Sequence, residues 1–169
     1  MFVLGIDPGV SRCGYCVLSD QQGPAQARAL GVITTPPHLP IHLRLAELQA
    51  EVRSLLSEHA VTVMAIERVL FQVNVRTAMS VGQASGVAMA EAAAAGCDVI
   101  EYSPNQVKEA IAGYGGASKE QVQTMVQTLL GLREVPRPPD AADAAAIALC
   151  HLAMAPMQRA AAAATGGSR

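Results

Sequence analysis

Four carboxylates in this chain of 169 residues, Asp7, Glu67, Asp140 and Asp143, have the residue type and local setting of a divalent-cation site, although they are spread over most of its length. Asp7 ends the apolar run Phe2-Val3-Leu4-Gly5-Ile6 and precedes Pro8-Gly9, which places it at the C-terminal end of a strand just before a turn. Glu67 repeats the arrangement after Val61-Thr62-Val63-Met64-Ala65-Ile66. Asp140 and Asp143 stand three apart at the head of an alanine-rich helical stretch and so share a helix face. Oxygen donors of this kind suit hard cations such as Mg²⁺ or Mn²⁺. Two such ions roughly 3.5–4 Å apart support an in-line displacement, one activating the attacking oxygen and the other stabilising the leaving oxygen. Asp7 is the candidate bridge, since its strand end lies between Glu67 and the helical pair. A local reading competes for Asp140, because Asp after Pro138-Pro139 also fits a helix cap or first turn.

For these acids to meet, the chain must fold back on itself. Strands are expected at 2–7, 12–19 and 27–34, joined by turn signals at Pro8-Gly9 and Asp20-Gln21-Gln22-Gly23-Pro24. Such short connections imply an antiparallel meander. Pro36, Pro37 and Pro40 then interrupt the pattern, and Leu43, Leu45, Leu48, Val52, Leu55 and Leu56 recur at the spacing of an amphipathic crossover helix. A strand at 61–67, a helix at 75–95, a strand at 99–102 and helical stretches near 104–112, 118–130 and 140–155 complete the order. The result is an α/β layer architecture with helices on both faces of a mixed sheet. Right-handed crossovers set the strand at 61–67 parallel to and beside the first, which brings Asp7 and Glu67 to one end of the sheet. Residues 1–157 read as one domain. Residues 158–169, an alanine run ending in Thr-Gly-Gly-Ser-Arg, read as a flexible tail.

Composition bounds the function. A 51% hydrophobic content at this length matches one compact core. No apolar run reaches the roughly 18 residues of a membrane span, and the N-terminus lacks the order of a signal peptide, so a cytoplasmic protein is expected. Of the four cysteines only Cys13 and Cys16 stand at ligand spacing, and three apart on a strand they point to opposite faces. A zinc or disulfide framework is thereby disfavoured. The formal charge of −2 is weakly unfavourable for binding a polyanion. With the four clustered acids set aside, however, twelve Lys and Arg outnumber the remaining ten acids. A basic face around a metal-filled acidic pit is compatible with that balance.

Taken in order, the segments Leu4-Gly5-Ile6-Asp7-Pro8-Gly9 with Gly14-Tyr15, Ala65-Ile66-Glu67, Gly82-Gln83-Ala84-Ser85-Gly86-Val87 and Gln106-Val107-Lys108 form a recognisable series. It continues through Gly113 to Gly115, Ser118-Lys119-Glu120-Gln121-Val122-Gln123 and Asp140-Ala141-Ala142-Asp143-Ala144. The chain closely resembles the RuvC-type Holliday junction resolvases of the ribonuclease-H-like superfamily over nearly its whole length. The resemblance implies a five-stranded mixed sheet flanked by helices and a homodimeric, structure-selective endonuclease. That enzyme makes paired symmetric nicks in four-way DNA junctions and leaves 5′-phosphate and 3′-hydroxyl ends, in recombination and repair. Two Mg²⁺ per subunit, with Mn²⁺ as a substitute, and partnership with the RuvA and RuvB branch-migration machinery are also implied.

By the same resemblance Asp7, Glu67, Asp140 and Asp143 are the metal ligands and catalytic acids. Lys119 stands near the scissile phosphate, where a cation stabilises developing charge. Lys108 matches a basic position facing DNA, and Arg76 and Arg68 are further phosphate-contact candidates. A solvated helix surface is the alternative for Lys108. Phe71 matches an aromatic that can wedge or stack against junction bases, although Leu70 occupies one of the two possible alignments. Phe71 is equally readable as a packed loop anchor. Ala78, Gly82, Gly86 and Ala90 form a small-residue stripe on the expected helix at 75–95, suited either to a dimer contact or to close packing on its own sheet.

Two other functions fit parts of the chain. Gly5-Ile6-Asp7-Pro8-Gly9 also resembles the first phosphate loop of actin-like sugar kinases, but those phosphotransferases close two such domains on a nucleotide and this chain has the length of one. A junction-binding module without catalysis would show a lost carboxylate. All four are present.

Overall fold

The computed structural model describes residues 1–21, 23–69 and 75–166. Strands β1 (Phe2–Asp7), β2 (Arg12–Ser19) and β3 (Gln26–Thr34) form the antiparallel meander. Helix α1 (Ile41–Glu58) crosses over to β4 (Val63–Glu67), and α2 (Val75–Ala94) crosses to β5 (Asp98–Tyr102). Helices α3 (Pro104–Ala112), α4 (Lys119–Leu129) and α5 (Pro139–Gly166) follow. The sheet order is β3-β2-β1-β4-β5, with β1 parallel to β4 and β4 parallel to β5. This is the five-stranded mixed sheet expected from the sequence. Helix α5 runs to Gly166, so residues 158–166, which the sequence suggests as a tail, continue the helix; residues 167–169 lie outside the described residues.

The strand period of two splits the core into two layers. Leu4, Ile6, Cys13, Val17, Met64 and Ile66 face one side and pack with Leu48 and Val52 of α1 and with Ala84, Ala88 and Ala92 of α2. Val3, Cys16, Leu18 and Ala65 face the other and pack with the alanine-rich α5 and with α3 and α4. Cys13 and Cys16 therefore do lie on opposite faces. All four cysteines are buried and unpaired with one another, and burial pushes the Cys13 and Cys16 thiols up to about 12, which leaves no thiolate for chemistry at neutral pH.

The placement of α5 decides everything that follows. Its sheet-facing residues Ala141, Ala144, Ala145 and Ala148 are fully buried and small, and opposite them the sheet carries glycines. A Cβ on Gly5 would stand 2.2 Å from the carbonyl oxygen of Ala144, and one on Gly14 would stand 2.0 Å from that of Asp140. Any side chain at either position would force the helix off the sheet. Gly5 and Gly14 thus let backbone touch backbone, and they fix both the height of α5 over β1 and β2 and the position of its first turn.

Candidate active site

Register brings the carboxylates together. Asp7 pairs across β1 and β2 with Gly14, and Ile6 pairs with Ile66 of β4, so Asp7 and Glu67 end neighbouring parallel strands. Gly5 and Ala65, two residues earlier on each strand, are also partners and lie under α5. Asp7 and Glu67 consequently project toward that helix as well. From above, the first turn of α5 delivers Asp140 and Asp143. Asp7, Glu67 and Asp143 line one cleft of about 370 Å³ together with Lys108, Lys119, Pro104, Val107, Val122 and Ala146. Asp140 does not line it, although its charge still acts on Asp7.

Helices α3 and α4 open onto this cleft with their N-terminal residues, Pro104 and Lys119, and α5 brings its first turn there. Both α3 and α4 begin with complete capping boxes, Ser103 with Gln106 and Ser118 with Gln121. The positive ends of helix dipoles favour anions, so the backbone adds attraction for a phosphate that the formal charge of the chain does not reveal.

The electrostatics of the four acids are unequal. Burial raises the Asp7 pKa to about 7, and repulsion from Glu67, Asp143 and Asp140 adds to the rise. Glu67 is raised by burial and then by Asp143. Burial works to raise Asp140 too, but hydrogen bonds from Arg12 and from the backbone outweigh it and hold this carboxyl below its usual range. Asp143 is ion-paired with Lys119, Nζ to Oδ2 at 2.6 Å, and that bond raises the lysine and keeps it charged.

The donor set is all oxygen, three of its four acids line one cleft, and Lys119 only partly offsets the repulsion at Asp7. That chemistry fits hard divalent cations. Among the described residues no three His, Cys, Asp or Glu side chains stand close enough together, as placed, to hold a metal ion; Asp140 and Asp143 are each paired with a base, Arg12 and Lys119.

The other expected residues separate clearly. Lys108 is half-buried and lines the cleft, where its charge opposes the rise in the Glu67 pKa, after Lys119, so it is not simply a solvated surface charge. Arg68 is exposed just beyond Glu67, and its backbone N–H donates to the Tyr102 carbonyl at 2.8 Å, tying the end of β4 to β5. Arg76 falls in the first turn of α2 but its side chain lies outside what the structure describes, as do Leu70 and Phe71 entirely. Arg12 is the residue that sequence reasoning missed. Its position two before Gly14, on the strand face that meets α5, was the available signal.

The raised Asp7 pKa predicts a pH signature. A carboxyl held near 7 in the fold but ionising near 3.8 when unfolded favours the fold most below about pH 4, and that contribution is lost as pH rises through 7. The shift corresponds to roughly 4 kcal/mol. In EDTA, Asp7→Asn should therefore raise the thermal midpoint at pH 8 by at least about 5 °C and change it little at pH 4. Melts followed by circular dichroism check this. An equal change at both pH values would contradict it.

Comparison with known proteins places this geometry. The family model for the crossover junction endodeoxyribonuclease RuvC matches residues 3–151. A crossover junction endodeoxyribonuclease RuvC from Syntrophomonas wolfei is 47% identical over 152 residues, covering 90% of this chain and 88% of that protein. The Thermus thermophilus RuvC structure superimposes with a TM-score of 0.87 at 39% identity, over 94% of this chain and 97% of the other. The T. thermophilus RuvC in complex with Holliday junction substrate gives 0.84 at 37% identity, over 93% and 96%.

Proposed function

Since this chain belongs to the RuvC family of crossover junction endodeoxyribonucleases and is a hydrolase that resolves Holliday junctions, we propose that the Asp7–Glu67–Asp143 cleft is where each strand is cut. One observation carries the reading. Two half-buried strand-end carboxylates, a helical carboxylate and two lysines, the only lysines in the chain, line a single cleft on a ribonuclease-H-like sheet.

RuvC-family nucleases are metal-dependent, and Mg²⁺ is the ion we assign, with Mn²⁺ as a substitute. Asp7, Glu67, Asp143 and Asp140 would hold it. A divalent cation bound there supplies activation of a water and stabilisation of the leaving 3′-oxygen. In the hydrolysis a bond forms from water oxygen to phosphorus and the bond from phosphorus to the 3′-oxygen breaks, leaving 5′-phosphate and 3′-hydroxyl ends. Lys119, held charged by Asp143, places its ammonium where the phosphoryl oxygens gain charge. Lys108, on α3, lines the cleft and supplies a second cation for the DNA backbone. Arg68, Arg76 and Phe71 belong to the same proposed DNA path.

The test is incubation with a synthetic four-way junction and with a linear duplex, in Mg²⁺, Mn²⁺, Ca²⁺ or EDTA. Paired nicks at symmetric positions in the junction alone, with Mg²⁺ or Mn²⁺ present, are expected. Equal cutting of the linear duplex, or full-rate cutting in EDTA, overturns the reading.

A homodimer matches the approximate two-fold symmetry of a four-way junction. Helix α2 supports that reading. Its sheet-facing residues are Ala84, Ala88 and Ala92, whereas Gly86 and Ala90 are exposed and Met79 is 61% exposed. The small-residue stripe is thus not consumed by packing on the sheet of its own chain. Nothing stands within 4 Å of a Cβ built on Gly82 or Gly86, so Gly86→Leu should fold normally and weaken the dimer. Light scattering at micromolar concentration checks both points, and a wild-type monomer, free and on junction DNA, would contradict the symmetric-cleavage model. We also place the enzyme in the cytoplasm, working with the RuvA and RuvB machinery. Among the described residues no helix is long and apolar enough to cross a membrane.

A further inference from the structure

Arg12 opens β2 two positions before Gly14, so the two residues project from the same side of the strand, toward α5. Both meet one residue. The Gly14 backbone lies against the Asp140 carbonyl oxygen, and the Arg12 guanidinium reaches the Asp140 side chain, with Nε at 3.0 Å and Nη2 at 2.7 Å, both on Oδ2. We propose that Arg12 is a positioning residue for strand cleavage, holding Asp140 by Oδ2 so that Oδ1 is turned to a divalent cation. The proposal rests on the metal-assisted reading above and assigns a role to a residue that reading does not use.

The bond pattern favours this over simple neutralisation. An arginine that closes a carboxylate does so fork to fork, with parallel bonds to both oxygens. Here both N–H groups converge on one oxygen, which leaves the other outside the pair. The anchor is also stiff, because the Gly14 contact fixes the Asp140 backbone at the neighbouring point. Asp143, one turn on, is engaged by Lys119 in the same one-oxygen manner, through its Oδ2. Each helical acid therefore has one basic partner of its own. Hydrogen-bonded partners of metal-ligating carboxylates set ligand orientation and change affinity by about 10–100-fold when removed. The positive charge of Arg12 opposes a cation, but its side chain is 48% exposed and its field is screened by water and salt, so orientation is the larger effect.

The experiment titrates Mn²⁺ into the full chain by calorimetry and by loss of the free-ion paramagnetic resonance signal, without DNA. Arg12→Gln is expected to raise the Mn²⁺ Kd about tenfold and to raise by a similar factor the Mg²⁺ concentration that gives half-maximal single-turnover cleavage. Arg12→Lys, which keeps the charge and loses the fork, should give an intermediate Kd, and it provides the same test should Arg12→Gln not fold. In an Asp140→Asn background, Arg12→Gln should change the Kd by less than about twofold, because the partner it orients is already altered. An unchanged or tighter Mn²⁺ Kd in Arg12→Gln overturns the proposal. So does a loss confined to junction affinity with the salt slope reduced by about one, which would make Arg12 a phosphate contact. A wild-type chain that binds no Mn²⁺ defeats the metal reading itself, an outcome distinct from normal binding that Arg12→Gln leaves unmoved.

Discussion

Asp7→Asn should lower single-turnover cleavage of a four-way junction at least about a thousandfold while leaving junction binding within a few-fold of wild type. Asn keeps the shape of the side chain and loses its charge, and charge is what the site concentrates. Asp7 is the acid that senses the other three, and its neighbours Glu67 and Asp143 line the same cleft. Binding should survive because attraction to the DNA backbone comes from the cations and helix ends, and a less negative site repels phosphate less. Glu67→Gln, Asp140→Asn and Asp143→Asn should follow the same pattern. Binding by gel shift in Ca²⁺, paired with rapid-quench cleavage in Mg²⁺, separates the two quantities. Full nicking in any two of these purified variants would defeat the assignment of the four acids to one catalytic unit.

Lys119→Ala distinguishes transition-state stabilisation from simple attraction, which both lower overall activity. A lysine that merely neutralises ground-state phosphate would, when removed, weaken junction affinity and reduce the salt slope by about one. A lysine that stabilises charge developing on the phosphoryl oxygens would instead lower the single-turnover rate at saturating enzyme by about 100-fold or more, with binding nearly intact. The second outcome is expected. Lys119 is already committed to the cleft by its 2.6 Å pair with Asp143 and stands at the first turn of α4, whereas a lysine serving only attraction has no need of that anchor. A variant that cleaves at the wild-type single-turnover rate would exclude the catalytic role.

Much of the sheet was legible because strand periodicity and crossover handedness are local or nearly local rules. The runs ending at Asp7 and Glu67 announced two strand ends, and the right-handed crossover through α1 left little choice but to set them side by side. The opposed directions of Cys13 and Cys16 followed from the same period of two. The tail was different. An alanine run is a good helix former, and α5 extends through it to Gly166, so most of the segment expected as a flexible tail at 158–169 has helical backbone.

By itself the sequence determined the residue types, the strand ends that carry Asp7 and Glu67, and the shared helix face of Asp140 and Asp143, because each depends on spacing along one element. Tertiary structure decided how these pieces meet. The contact of Arg12 with Asp140 joins residues 128 apart, and it exists only because Gly5 and Gly14 let α5 settle backbone to backbone on the sheet. The outward face of the glycine stripe on α2 depended on which helix side the sheet claimed, and Ala84, Ala88 and Ala92 won that side. The raised pKa of Asp7 likewise belongs to no segment. It arises from burial and from like charges brought in by other elements, and both are properties of the packed molecule rather than of the chain.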